Sequence, residues 1–196
     1  MNPIVNDFEP KCLCVLVLDT SGSMNANNAI VELNDSLQRF KKDIELDSVT
    51  RDRLEVCIIA FDSAVKVLQQ PDKLTNFEMP RLKAQGCSLL VPALEKAQEL
   101  IKKRIDYYKS QGICYYRPWI IVITDGDPYP CGQDISTIAS KIKTDVNNRH
   151  YYFVIIGIGD MQSSVLSTLE TEQMPAFKTP INKIPFEEFF TFLSQS

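Results

Sequence analysis

The chain has 196 residues, 44% of them apolar and 23% charged, with a net charge of −4 and no run of Lys and Arg. That length suits one α/β domain, and the acidic balance argues against non-specific nucleic-acid binding, which needs a basic face to displace counterions from phosphate. The N-terminus, MNPIVNDFEPK, lacks the basic-then-apolar layout of a secretory leader, and no apolar run approaches the ~20 residues that cross a bilayer, so the expectation is a soluble, cytoplasmic protein that engages neither membrane nor nucleic acid.

In chain order, residues 12–18 (CLCVLVL) form a continuous apolar run of the kind found in a strand buried on both faces. Over 29–44, Ile30, Leu33, Leu37, Phe40 and Ile44 recur at gaps of three and four and give a helix with one apolar stripe. A second strand follows at 54–61 (LEVCIIAF), and 64–68 reads as the return arm of a hairpin, hence an antiparallel edge strand. Residues 71–85 are irregular and polar. Pro92 opens a helix striped by Leu94, Ala97, Ile101, Ile105 and Tyr108, which Gln111-Gly112 ends. A strand at 119–124 (WIIVIT), a helix marked by Ile135, Ile138, Ala139, Ile142 and Val146, and a strand at 151–158 complete the alternation. Helices at 163–170 and 186–194 and a short strand at 177–179 close the chain. The pattern predicts a doubly wound, mostly parallel sheet with one antiparallel edge strand and helices on both faces. One domain over 1–196, with its core at about 12–180, accounts for the whole chain.

Six cysteines form no CxxC pair and have no histidine at zinc-site spacing. Cys12 and Cys14 point the same way along one strand, too far apart to bridge. With Cys57 in a strand and Cys87, Cys114 and Cys131 in loops, reduced thiols buried as small hydrophobes are expected.

Ligands of such sheets bind beyond the carboxyl ends of the strands, where the strand order reverses. The first strand ends in Asp19-Thr20-Ser21-Gly22-Ser23-Met24, and the strand at 119–124 runs into Thr124-Asp125-Gly126-Asp127-Pro128. If the two strands are neighbours, Asp19 and Asp125 face each other with Ser21 and Ser23 between them. Oxygen atoms of this kind suit a hard cation, Mg²⁺ before Mn²⁺ or Ca²⁺ because the ligands are few and rich in hydroxyl. Gly22 is expected to supply the backbone angles of a sharp turn. An Asp and a Ser after a strand are equally the ingredients of a helix cap.

The segment Asp19-Thr20-Ser21-Gly22-Ser23 resembles the D-x-S-G-S metal-ion-dependent adhesion site (MIDAS) motif of von Willebrand factor A (VWA) domains. The resemblance covers about residues 12–160. It implies a fourth ligand, Ser88, in the segment Gly86-Cys87-Ser88-Leu89-Leu90-Val91-Pro92-Ala93-Leu94, and makes Asp125 of the strand-ending T-D-G the fifth. It further implies that Ser21 and Ser23 bind the metal directly and that Asp19 and Asp125 act largely through waters. Ser88 would bind in the ligand-holding state, and a protein partner's Asp or Glu would complete the shell. The L-D-T-S-G-S-M start, P-A-L-E-K-A helix, W-I-x-x-x-T-D-G strand and late G-I-G are similar to stand-alone bacterial VWA proteins of the tellurium-resistance type, which implies a stress-response or signalling assembly. Two departures from the family pattern are Ser88 in place of Thr and Cys87 in place of Gly.

A Mg-dependent phosphatase or phosphoryl-transfer enzyme is the alternative, since Asp19 ends a strand as a phosphatase nucleophile does. Ser21 stands where a second acid would be needed, and no activating base is visible. A dinucleotide or P-loop site is excluded by the absence of G-x-G-x-x-G and G-x-x-x-x-G-K-[ST]. Asp62 either contacts partners or caps its own turn. Asp127 and Asp160 read as loop acids, and His150 as a packed or solvated side chain. Trp119 packs, and the tyrosines at 107, 108, 115, 116, 151 and 152 are divided between core and a possible exposed aromatic patch.

Overall fold

The computed structural model describes residues 9–125, 133–158, 163–173 and 176–178. Strand β1 (Cys12–Asp19) leads through a 3-10 turn (Gly22–Asn28) into α1 (Ala29–Leu46), then α2 (Ser48–Arg53), β2 (Leu54–Phe61) and β3 (Val65–Lys73). After these come α3 (Leu90–Gln111), β4 (Trp119–Thr124), α4 (Ile135–Asn147), β5 (Tyr152–Gly157), α5 (Ser163–Leu169) and β6 (Phe177–Lys178). The sheet order is β3-β2-β1-β4-β5-β6, and among the described residues only the β2–β3 pair is antiparallel.

Every residue of β1, β2 and β4 is buried, which explains why these strands read as unbroken apolar runs. Alternate residues of β1 serve two cores. Cys12, Cys14, Leu16 and Leu18 pack with Ile30, Leu33, Leu37 and Phe40 of α1. Leu13, Val15 and Val17 pack on the other face with Leu94, Ala97 and Ile101 of α3 and Ile138 and Ile142 of α4. Burial of this kind stabilises by about 25 cal/mol per Å² of apolar surface, so the long central strands fix the sheet and the loops at its carboxyl end inherit its rigidity.

The structure differs from the sequence expectations at several boundaries. The edge strand β3 runs on to Lys73, through Pro71. Its outer edge pairs with nothing among the described residues, so the missing proline N–H costs little there. Helix α3 begins at Leu90 and places Pro92 third, still within the first turn whose N–H groups have no intrahelical acceptor. It stops at Gly112, which adopts φ 66° as a left-handed cap. Helix α2 is too short to show a hydrophobic period; the Asp47 carboxylate, which accepts from the Val49 N–H, starts it. Cys12, Cys14 and Cys57 are buried free thiols, and burial pushes Cys12 and Cys57 up to about 12. Cys87 and Cys114 are exposed, contrary to expectation, because both lie in loops that the sheet does not cover. The predicted helix at 186–194, Thr179, Cys131, Gly126, Asp127 and Asp160 lie outside the described residues. Among the described residues no helix is long and apolar enough to cross a membrane.

Candidate metal centre

The strand order reverses between β1 and β4, so the connections leaving their carboxyl ends diverge and open a crevice. Asp19 is the last residue of β1. The β1–β4 register pairs Leu18 with Ile123, which sets Thr124 beside Asp19 and carries Asp125 to the crevice one residue later.

Asp19 is fully buried, and its two carboxylate oxygens are held differently. Oδ1 accepts the Ser21 N–H at 2.7 Å. Oδ2 accepts the Thr124 hydroxyl at 2.5 Å and the Ser88 hydroxyl at 3.2 Å. The Ser21 and Ser23 hydroxyls lie 2.9 Å apart, and Ser23 Oγ donates to Asp125 Oδ1 at 2.8 Å. The structure therefore gathers all five residues singled out by sequence and family resemblance. Ser21 and Ser88 are buried and Asp125 is half-buried, while Ser23 is exposed, so the crevice opens on the Ser23 side.

Burial pushes the Asp19 carboxyl above its ordinary range, against the lowering effect of its hydroxyl and N–H donors. Burial raises Asp125 as well, and repulsion from Asp19 adds to the shift, while the Ser23 hydroxyl opposes it. Among the described residues neither carboxylate has a Lys or Arg ion-pair partner. Nor is any group of three or more His, Cys, Asp or Glu side chains placed among them to hold a metal. The donor set is two carboxylates and several hydroxyls, all oxygen. That chemistry fits a hard divalent cation, which would supply the missing counter-charge.

Two glycines let the surrounding loops close, although not as expected. Gly22 has no positive φ; its N–H donates to the Gly86 carbonyl at 2.9 Å, and a Cβ there would sit 3.3 Å from that oxygen. Gly86 is the residue in the left-handed region, at φ 70°, and a Cβ on it would lie 2.4 Å from the Ser63 hydroxyl. The Ser88 loop is fixed to the neighbouring β2–β3 turn by further bonds. Cys87 N–H donates to Ser63 Oγ at 2.9 Å, and Leu89 N–H to the Asp62 carbonyl at 3.1 Å.

The other residues singled out by sequence fall away from the crevice or serve the fold. Asp62 is buried but turns to its own chain, accepting from Ala64 N–H at 2.9 Å and from Lys66 and Gln85 at 3.2 Å each. Burial alone would raise its carboxyl, but these donors and the lysine charge together hold it below the ordinary value. His150 is exposed beside Asp145, just ahead of β5 and so at the opposite end of the parallel sheet. Trp119 is buried against the Tyr152 ring. Tyr108 and Tyr151 belong to the core, Tyr115, Tyr116 and Tyr152 are half-buried, and Tyr107 alone of the six is exposed. Sequence reasoning missed Thr124 and Gln133. Thr124 is visible only once the β1–β4 register is known. Gln133, whose amide donates to the Ser88 carbonyl at 2.6 Å, gives no local signal at all.

A family model for the von Willebrand factor type A domain matches residues 14–127. No curated protein matches the sequence. Among solved structures, the von Willebrand factor domain of the type V pilus tip protein Mfa5 from Porphyromonas gingivalis is 11% identical, with a TM-score of 0.66 over 95% of this chain and 96% of that one. The ArnB paralog VWA2 from Sulfolobus acidocaldarius is 18% identical, with a TM-score of 0.59 over 90% of this chain. Proximal thread matrix protein 1 of the mussel byssus, solved with a zinc-occupied MIDAS motif, is 16% identical with a TM-score of 0.63 over 95%. This chain spans only 43% and 46% of the lengths of the last two. At such identities the likeness is one of fold.

Proposed function

The chain belongs to the von Willebrand factor type A domain family, and from that footing we propose that it is a metal-dependent protein-binding module in which Asp19, Ser21, Ser23, Ser88 and Asp125 hold one divalent cation. The observation that carries the reading is the pair of carboxylates, buried Asp19 and half-buried Asp125, gathered with the Ser21, Ser23 and Ser88 hydroxyls and lacking a cationic partner among the described residues. Such a pair is costly to bury unless a positive charge completes it. The zinc-occupied MIDAS motif of the mussel protein supports the analogy, since residues 19–23 carry the D-x-S-G-S form of that motif.

Ser21 and Ser23 are the direct ligands in this reading. Asp19 and Asp125 supply the negative charge, and Ser88 joins when a partner is held. Mg²⁺ is the preferred ion, with Mn²⁺ and Ca²⁺ as substitutes, because hydroxyl-rich sets of few ligands suit the smaller hard cation. Two carboxylates against a 2+ ion leave the centre nearly neutral and electrophilic. An Asp or Glu of a protein partner, approaching from the exposed Ser23 side, is then the natural final ligand. The tellurium-resistance-like motifs extend the proposal to a cytoplasmic stress-response or signalling assembly built on this one domain.

As the alternative, a phosphoryl-transfer enzyme would need Asp19 free to attack. Both of its oxygens instead accept hydrogen bonds, the posture of a charge held in place. Isothermal titration of Mg²⁺ and Mn²⁺ into chelator-treated protein tests the reading, with the Asp19→Ala/Asp125→Ala double variant beside it. One-to-one binding to the wild type alone is the expected result. Equal heats for both proteins would sink the site, and phosphatase turnover lost in the variant would favour the enzyme.

A further inference from the structure

A helix begins with four N–H groups that lack intrahelical acceptors, and a Ser, Thr, Asp or Asn just before the first turn usually accepts one of them. Helix α4 follows this rule: its N-cap Asp134 accepts the Ser136 N–H. Helix α3 does not. Its N-cap residue is Leu89, which has no side-chain acceptor, and the adjacent hydroxyl residue, Ser88, donates instead to Asp19 Oδ2. The local cap has been given up to the Asp19 cluster.

The acceptor that α3 lacks arrives from elsewhere in the chain. Gln133 Oε1 accepts the Val91 N–H at 2.8 Å, and Gln133 Nε2 donates to the Ser88 carbonyl at 2.6 Å. An N–H at one end and a carbonyl at the other fix the sense of the amide, since only oxygen can accept the first and only nitrogen can donate to the second. Gln133 lies in the β4–α4 connection, the same connection that carries Asp125, immediately before the α4 cap. One side chain thus spans the two loops that contribute Ser88 and Asp125.

We infer that Gln133 is a positioning residue of the Asp19 centre, holding the Ser88 backbone so that its hydroxyl is directed at Asp19 while capping α3 in its stead. The inference rests on the metal-binding reading proposed above for its consequence, but not for its geometry. Without Gln133, the Val91 N–H loses this acceptor, and Ser88, three residues earlier, stands at the sequence spacing from which a capping side chain accepts such a group. Hydroxyl side chains compete readily for such backbone groups, so Ser88 is then drawn from Asp19 to the helix terminus. With no partner held, Ser88 acts on the metal through its bond to the Asp19 carboxylate, and groups that orient metal ligands in this indirect way typically change metal affinity by about tenfold to a hundredfold when removed.

Two measurements on wild type, Gln133→Ala and the similarly sized Gln133→Met test this. The first is amide hydrogen exchange at Val91 in metal-free protein, which needs no ligand. The second is Mn²⁺ affinity by titration calorimetry. Both variants are expected to speed Val91 exchange about tenfold or more and to weaken Mn²⁺ binding by about tenfold to a hundredfold. Unchanged Val91 exchange, or Mn²⁺ held as tightly by both variants as by the wild type, overturns the role of Gln133. A wild type that takes up no Mn²⁺ contradicts the metal reading itself, a result distinct from either.

Discussion

Asp19 and Asp62 follow the same course and end differently. Asp19 ends β1, Asp62 follows directly on β2, and the paired register sets Phe61 beside Asp19, so the two acids are neighbours on one rim of the sheet. Both are buried. Around Asp62 the chain supplies a backbone N–H, an amide and the Lys66 ammonium, and the carboxyl is held below its ordinary value. Around Asp19 the described residues supply hydroxyls and one N–H but no cation, and the carboxyl is pushed up. Burial alone therefore does not mark a functional acid. What separates the two is the counter-charge, which Lys66 provides at Asp62 and none of the described residues provides at Asp19.

The sharpest break in this comparison is in metal binding. Asp19→Ala should reduce Mg²⁺ and Mn²⁺ affinity by at least about a hundredfold with an unchanged circular-dichroism spectrum, whereas Asp62→Ala should retain binding within roughly tenfold. Calorimetry on both variants decides it, and equal losses would erase the distinction. Stability should sort the pair in the opposite direction. Asp62→Ala removes the acceptor of three donors and should cost about 2 kcal/mol in urea unfolding. Asp19→Asn should stabilise chelated protein by roughly 1 kcal/mol, since it removes a buried charge that has no cationic partner among the described residues. Gly86→Ala, at the junction of the two regions, should cost about 1–3 kcal/mol by thermal melting, because it meets both a left-handed φ and the Ser63 hydroxyl.

The pH dependence is a smaller effect with opposite signs at the two acids. Asp62, lowered in the fold, contributes stability that is present above its unfolded pKa and lost as pH falls through the folded value. Asp19 and Asp125, raised in the fold, bind protons more tightly folded than unfolded, so their contribution declines as pH rises from about 3.8 through the folded values. In chelator, Asp62→Asn should flatten the acid limb of the stability curve and Asp19→Asn should flatten the decline above it. Protons and metal also compete for Asp19 and Asp125, so Mn²⁺ affinity should fall as pH drops toward their raised range. Affinity indifferent to pH as the protein is acidified toward the ordinary carboxylate range would mean that neither carboxylate takes part.

Much of the architecture was legible because burial on both faces leaves an unmistakable apolar run, as in β1 and β4, and amphipathic helices leave a stripe, as in α1. The acids at the strand ends were legible for the same reason: once 12–18 and 119–124 are strands, Asp19 and Asp125 stand at their carboxyl ends. Ser88 was reached only through family resemblance, because its loop lies far from both strands in sequence and has no period of its own. Pro71 hid the true length of β3, since a proline argues against a strand except at an edge. Gly22 was singled out for the wrong reason; the close approach of the Gly86 carbonyl, not a turn angle, favours it. Thr124 and Gln133 were out of reach because their roles depend on strand register and on a contact between two connections that no local pattern encodes.

The most direct test of the account is the effect of Mg²⁺ on thermal stability in wild type and Asp19→Asn, measured side by side after chelator treatment. If the buried carboxylate awaits a cation, millimolar Mg²⁺ should raise the wild-type melting temperature by several degrees. It should leave that of Asp19→Asn where it stands without metal. Equal shifts in both proteins, or none in either, would contradict the claim that a metal supplies the counter-charge of Asp19.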